Sequence, residues 1–190
     1  MEEYFDIVSD DDEVVGDDEV VGDDEVVGRA TRKAVHTKGF IHRSVLFFIF
    51  DREGRIFVNQ RTDTKEFYPG HWSIVFGGHV RAGEDYQETV GREAEEEAGV
   101  TSQPFFMASF KKRFDDLDRE NVRVYGFVAD REPVLDRTEI KQGSFLTLEE
   151  LERKLGEEKF LPETARLYEI LKNYLHSRSS NELPDSRHFR

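Results

Sequence analysis

The run Gly78-His-Val-Arg-Ala-Gly-Glu84-Asp-Tyr-Gln-Glu-Thr-Val-Gly-Arg92-Glu93-Ala94-Glu95-Glu96-Glu97-Ala98-Gly99-Val100 decides how this chain is read. Its spacing predicts a helix over Asp85 to Ala98 that stops at Gly99, a C-terminal glycine free to take the left-handed conformation. On that helix Glu93, Glu96 and Glu97 stand at i, i+3 and i+4 and share one face. Like charges so placed repel one another, and a divalent cation would neutralise them. Carboxylate oxygens are the ligands that hard Mg²⁺ or Mn²⁺ prefers.

Outward from the helix, the sequence alternates short strands and turns. Ser44 to Phe50 is a continuous apolar run, as in a strand buried on both faces. Asp51 to Gly54 is a turn and Arg55 to Arg61 a second strand. Tyr68-Pro-Gly-His-Trp72 reads as a tight turn, and Ser73 to Phe76 as a short strand entering Gly77 and Gly78. Phe105 to Phe114 and Val122 to Ala129 read as a strand pair, and Gly143 to Leu146 as a further strand. Thr147-Leu-Glu-Glu150 has the pattern of a capping box. Pro162 to Leu175 reads as a last amphipathic helix, and the polar residues after it as a tail.

The N-terminal region carries Asp-Asp-Glu-Val-Val-Gly three times in tandem, at 11–16, 17–22 and 23–28. Identical copies this short point to a recent expansion rather than a solenoid. With two copies removed, the segment reads as a strand, an acidic turn and a second strand, so two hexads would lengthen a hairpin loop. The expected division is an extension over 1–35, one domain over 36–175, and a disordered polar tail over 176–190.

The whole chain has 190 residues and a net charge of −14, which argues against a nucleic-acid backbone or an anionic membrane as constitutive partner. It has no cysteine, which excludes disulfides, thiolate metal sites and a thiol nucleophile. No stretch approaches a transmembrane span, and the acidic N-terminus lacks the pattern of a signal peptide, so the expected location is the cytoplasm.

The 78–100 run resembles the signature of the Nudix hydrolases, G-x5-E-x7-R-E-U-x-E-E-x-G-U, at each fixed position: Gly78, Glu84, Arg92, Glu93, Glu96, Glu97 and Gly99. The resemblance implies an α/β fold, a Nudix-type α/β/α sandwich with a mixed sheet, here with an N-terminal β-hairpin extension. It implies divalent-metal-dependent hydrolysis of a diphosphate linkage in a nucleoside diphosphate-X substrate by a metal-activated water. Glu93, Glu96 and Glu97 would bind Mg²⁺ or Mn²⁺ with the carbonyl of Gly78, and Arg92 would hold a catalytic carboxylate. Glu84 would order the loop or contact Arg92. One of Glu93, Glu96 and Glu97, or an acid outside the signature among Asp115, Asp116, Asp118, Glu120 and Glu139, would be the general base. Arg61, Lys65 and Lys111 are candidates for substrate binding, Lys111, Lys112 and Arg113 together being either phosphate contacts or a surface basic patch, and a homodimer is a possible assembly.

The N-terminal half also resembles the isopentenyl diphosphate isomerase branch, through His36-x5-His42, Gln60-Arg61-x3-Lys65, Tyr68-Pro-Gly70-x-Trp72 and Gly78-His79. Those isomerases place a proton-donating cysteine one residue before the glycine-histidine pair; Gly77 stands there in this chain. His36, His42 and His79 are either a second metal site or structural histidines. The alternatives to hydrolysis are an isomerase-like protein and a non-catalytic binding module on the same fold.

Overall fold

The computed structural model describes residues 3–12, 28–113 and 117–178. Most of the hexad array, and Asp115 and Asp116, lie outside these residues. The first strands, β1 (Tyr4–Asp6) and β2 (Arg29–Thr31), pair antiparallel with Tyr4 opposite Thr31. Helix α1 (Arg32–Lys38) follows at once. The Thr31 hydroxyl accepts from the amide of Ala34, and Gly39 ends the helix at φ 69°. The expected division between residues 35 and 36 falls inside this helix.

The main sheet is built on β3 (His42–Phe50). Along its whole length β3 pairs parallel with β8 (Arg119–Val128), from His42 opposite Glu120 to Phe50 opposite Val128. Its other edge is divided. The first half pairs with β6 (Phe76–His79) and the end meets β4 (Ile56–Arg61), both antiparallel. Strand β4 continues the sheet through β5 (Trp72–Ser73) and β9 (Ile140–Leu146), and β7 (Phe105–Arg113) pairs antiparallel with β8. One parallel pair among antiparallel ones makes the sheet mixed, and a chain folding β-strand to β-strand around a buried apolar β3 requires cover on both faces.

Helix α2 (Tyr86–Ala98) supplies one cover. Asp85 caps it, with its carboxylate accepting from the amides of Gln87 and Glu88 while Glu88 returns a bond to the amide of Asp85. Val90, Ala94 and Ala98 pack with Val45, Phe47, Phe57 and Phe127 in one cluster. Helices α3 (Leu148–Glu157) and α4 (Thr164–Arg178) supply the other, where Leu151, Leu167 and Leu171 meet Phe48, Phe50 and Val124. Each fully buried side chain of this size contributes about 1.5–3 kcal/mol. Helix α4 runs past the expected end at Leu175, to Arg178. A third, smaller cluster of Phe5, Ile7, Ala30 and Val35 holds the N-terminal extension together.

Candidate active site

Gly77 and Gly78 form the pivot of the site. They lie on β6 opposite Leu46 and Val45 of β3. A Cβ on Gly78 would fall 2.3 Å from the carboxyl carbon of Glu93, so the missing side chain is the space that Glu93 occupies. A Cβ on Gly77 would stand 2.5 Å from the Val45 carbonyl oxygen, a backbone atom that cannot yield. Helix α2 thus lays its acidic face against bare backbone.

Arg92 organises that face. Its Nη2 and Nε reach the two oxygens of Glu84 at 3.0 and 3.2 Å, a bidentate pair. Its Nη1 reaches Glu93 at 2.6 Å and Glu96 at 3.2 Å. Thr89 donates its hydroxyl to Glu84 as well, at 2.8 Å. Glu84 therefore orients Arg92, and Arg92 bonds two of the three glutamates. Glu97 has no such partner. Burial lifts its pKa, the neighbouring Glu93 and Glu139 carboxylates lift it further, and it reaches about 8 despite a backbone hydrogen bond from Gly77. Burial also raises Glu93, against the pull of Arg92.

These glutamates open into a cavity of about 520 Å³. Arg61, Lys65 and Glu139 line one end, where Lys65 is ion-paired with Glu139. Arg61 donates to the carbonyl of Phe67 at 3.1 and 3.2 Å. A recess of about 180 Å³ shares Glu97 and Glu139 as part of its wall and reaches Asn59 and Ser73. Lys111 lies away from the cavity, 3.7 Å from Asp10; the residue that lines it is Lys112, with its ammonium 2.8 Å from Glu120 and 3.0 Å from Asp118. Of the sought bases within the described residues, Glu120 and Glu139 line the cavity. Tyr68 is exposed, whereas Trp72 is buried beneath the ammonium of Lys154 at 3.5 Å and serves packing.

Three histidines gather beside the cavity, and His79 is the one that lines it. His42 begins β3, His79 ends β6 beside it, and His36 comes from α1. Their ring centroids are 4.9 to 5.4 Å apart, and their candidate donor atoms lie within 4.8 Å of one another. Among the described residues this is the one group of three or more ligating side chains gathered closely enough to hold an ion. Phe5 of β1 stacks on His42 and His79 at 5.7 and 5.0 Å. His42 Nδ1 lies 3.1 Å from the Phe40 carbonyl, which can only accept, so Nδ1 carries the proton. Its Nε2 is then a lone pair, buried and without a hydrogen-bond partner. Burial lowers the pKa of all three rings, His79 to about 3, so they are neutral imidazoles near pH 7. Burial opposes the charge on Glu120 next to them, but the Lys112 ammonium outweighs it and holds that carboxyl below the usual range.

Sequence reasoning missed the N-terminal contribution to this cavity. Glu3 and Arg32 line it together with Arg81, from the loop after β6. The available signal was Thr31 and Gly39, a capping residue and a stop glycine that bracket α1.

A family model for the NUDIX domain matches residues 40–168. An uncharacterized Nudix hydrolase of Streptomyces coelicolor is 37% identical over 178 residues, covering 90% of this chain and 89% of its own. The uncharacterized Nudix hydrolase YfcD of Escherichia coli K12 is 33% identical over 168 residues, covering 86% and 83%. Among solved structures, DR0079 from Deinococcus radiodurans superposes with a TM-score of 0.70 at 27% identity, over 90% of this chain and 99% of its own.

Proposed function

Since this chain belongs to the Nudix hydrolase family, we propose that it cleaves the diphosphate linkage of a nucleoside diphosphate-X substrate with Glu93, Glu96, Glu97 and the Gly78 carbonyl around a divalent cation. Nudix hydrolases generally use such ions. The observation that carries this reading is Glu97, a carboxylate facing Glu93 and Glu139 with its pKa lifted to about 8. That is a place with more negative charge than the protein balances by itself. The donor set, all oxygen, suits Mg²⁺ or Mn²⁺. When bound, the ion neutralises phosphate charge, polarises the P–O bond and lowers the pKa of water.

The chain's own groups do the rest. Arg92 keeps Glu93 and Glu96 turned toward the cavity and releases part of its hold when a cation competes for them. Water adds to one phosphorus, the bridging oxygen leaves with the other, and the water's proton passes to a carboxylate. Glu139, beside Glu97 and outside the signature, is the candidate base, and Lys65 is ion-paired with it. Arg61 and Lys65 meet the phosphates at this end.

On the same reading His36, His42 and His79 hold a second ion. Three neutral imidazoles suit Zn²⁺ or a related transition metal, and the buried, unpartnered Nε2 of His42 supports it. Isomerase chemistry has no comparable support, because position 77 lacks a cysteine and has no room for a side chain.

The test is a panel of nucleoside diphosphate conjugates with Mg²⁺ or Mn²⁺, with products separated by chromatography, and Glu97→Gln run alongside. Phosphate-ester products from wild type alone are expected. No product from any substrate would favour the binding module, and equal rates would remove Glu97 from the ligand set.

A further inference from the structure

The corner of the cavity made by the N-terminal extension takes no part in cleavage as described above. Glu3 places one carboxylate between two guanidiniums there. Arg32 Nη1 is 3.4 Å from one oxygen and Arg81 Nη2 is 3.4 Å from the other. Backbone contacts fix the arms. The amide of Arg32 donates to the Glu3 carbonyl at 3.1 Å, and the amide of Ala82 donates to the Tyr4 carbonyl at 2.8 Å. The amide of Gly83 donates to the Asp6 carboxylate at 2.9 Å. Strand β1 therefore ties Arg32 and the Arg81 loop to one another, and both arginines open on the cavity that holds Glu93 and Glu96.

The fit between Glu3 and its two partners is poor. Charge-assisted N–H···O bonds close to about 2.7–2.9 Å, and these two are longer. Among the described residues, Glu3 is the one carboxylate ion-paired with both arginines. Two other cations of the cavity are more tightly engaged, Lys112 on Glu120 at 2.8 Å and Lys65 on Glu139. A phosphate monoester would satisfy the corner better, because it carries a charge of roughly −1.5 to −2 and three acceptor oxygens in place of two.

We infer that Arg32 and Arg81 recognise a phosphate monoester carried on the X group of the substrate, and that Glu3 is the resident counter-ion this phosphate displaces. The inference relies on the diphosphate reading only for what the monoester is attached to. The extension then acts as a selectivity element: the diphosphate lies over the α2 glutamates, and the clamp selects among conjugates by their far end. Such binding is made alike in ground and transition states, so it lowers KM and leaves kcat unchanged.

The experiment measures binding to chelator-treated protein, without turnover. Inorganic phosphate is titrated by calorimetry into wild type, Glu3→Gln, Arg32→Gln and Arg81→Gln, and NADP⁺ is compared with NAD⁺, a pair of diphosphates differing by one phosphate monoester. Glu3→Gln is expected to bind phosphate about tenfold more tightly, and each arginine variant about tenfold more weakly. NADP⁺ is expected to bind wild type more tightly than NAD⁺, with the difference gone in Arg32→Gln and Arg81→Gln. Arg32→Lys and Arg81→Lys, which keep the charge, should retain part of the phosphate affinity, and thermal midpoints report whether each variant is folded. Phosphate affinity equal to wild type in folded Arg32→Gln and Arg81→Gln overturns the clamp. So does weaker phosphate binding in a folded Glu3→Gln. A protein that hydrolyses no diphosphate can still pass this test, and an active hydrolase can still fail it.

Discussion

On α2, three carboxylates face the cavity, and two of them rest on Arg92 at 2.6 and 3.2 Å. Beside the same cavity, which His79 lines, three imidazoles already face one another within 4.8 Å. Glutamate is long and charged, so three of them are not easily held together without a cation, and the helix parks two of them on an arginine. Imidazole is rigid and neutral when buried, so three rings can be assembled in advance by a strand end, a neighbouring strand and a short helix. On the proposed reading, the glutamate site would be gathered as a hard cation arrives, whereas the imidazole site would be preorganised.

The largest effect that could break this contrast is on turnover. Glu97→Gln should lower kcat by on the order of 10²–10⁴-fold, the range for removing a group that manages charge or protons at the reacting centre. If Glu97→Gln left the rate intact while His42→Ala abolished it, the two sites would have to exchange roles. Next, His42→Ala should weaken retention of a Zn²⁺ ion by at least about 10–100-fold, the loss typical of even an outer-shell partner, as metal analysis after dialysis would show. Mg²⁺-dependent activity should change far less.

The two sets should also titrate with opposite sign in chelator-treated protein. Glu97 has a folded pKa of about 8 against an ordinary 4.5. The folded chain keeps a proton that the unfolded chain releases, so this stabilisation is complete below pH 4.5 and is lost as pH rises toward 8. Its slope is at most about 1.4 kcal/mol per pH unit. His79 has a folded pKa of about 3 against an ordinary 6.5, so its share is lost as pH falls from 6.5. Between pH 6.5 and 8 the glutamate acts without opposition from the histidines. The thermal midpoint should fall with pH there in wild type and stay flat in Glu97→Gln or with saturating Mg²⁺. A flat wild-type profile would mean that Glu97 is ionised throughout. The smallest effect tests the frame: Asp85→Ala should cost about 1 kcal/mol of stability, through the α2 cap, with no change in Zn²⁺ retention.

The α2 face was legible because helix periodicity and fixed offsets place Glu93, Glu96 and Glu97 together within one local element. The strands were legible for a similar reason, as the apolar run of β3 shows. The side of β7 that faces the cavity was not. Phe105 and Met107 pack against the α3/α4 cluster, but so do Ala108 and Phe110, because a bulge between Phe106 and Ala108 shifts the register. Counting by two from Phe105 brings Lys111 inward; beyond the bulge, it is Lys112. The N-terminal corner was hidden for another reason. Glu3, Arg32 and Arg81 are far apart in sequence, and no periodicity connects them. Tertiary pairing alone brings them together.

That pairing also orders events in time. The amides of Ala82 and Gly83 close onto β1 across 77 or more residues, so this strand cannot dock until the chain through β6 is in place. Contacts of such long sequence separation form late, and short edge segments open at lower free energy than the core. Strand β1 is thus among the last parts to fold and the first to leave. Since it carries Phe5 and directly follows Glu3, hydrogen exchange at Ala82 and Gly83 is a clock for how often this corner of the cavity opens.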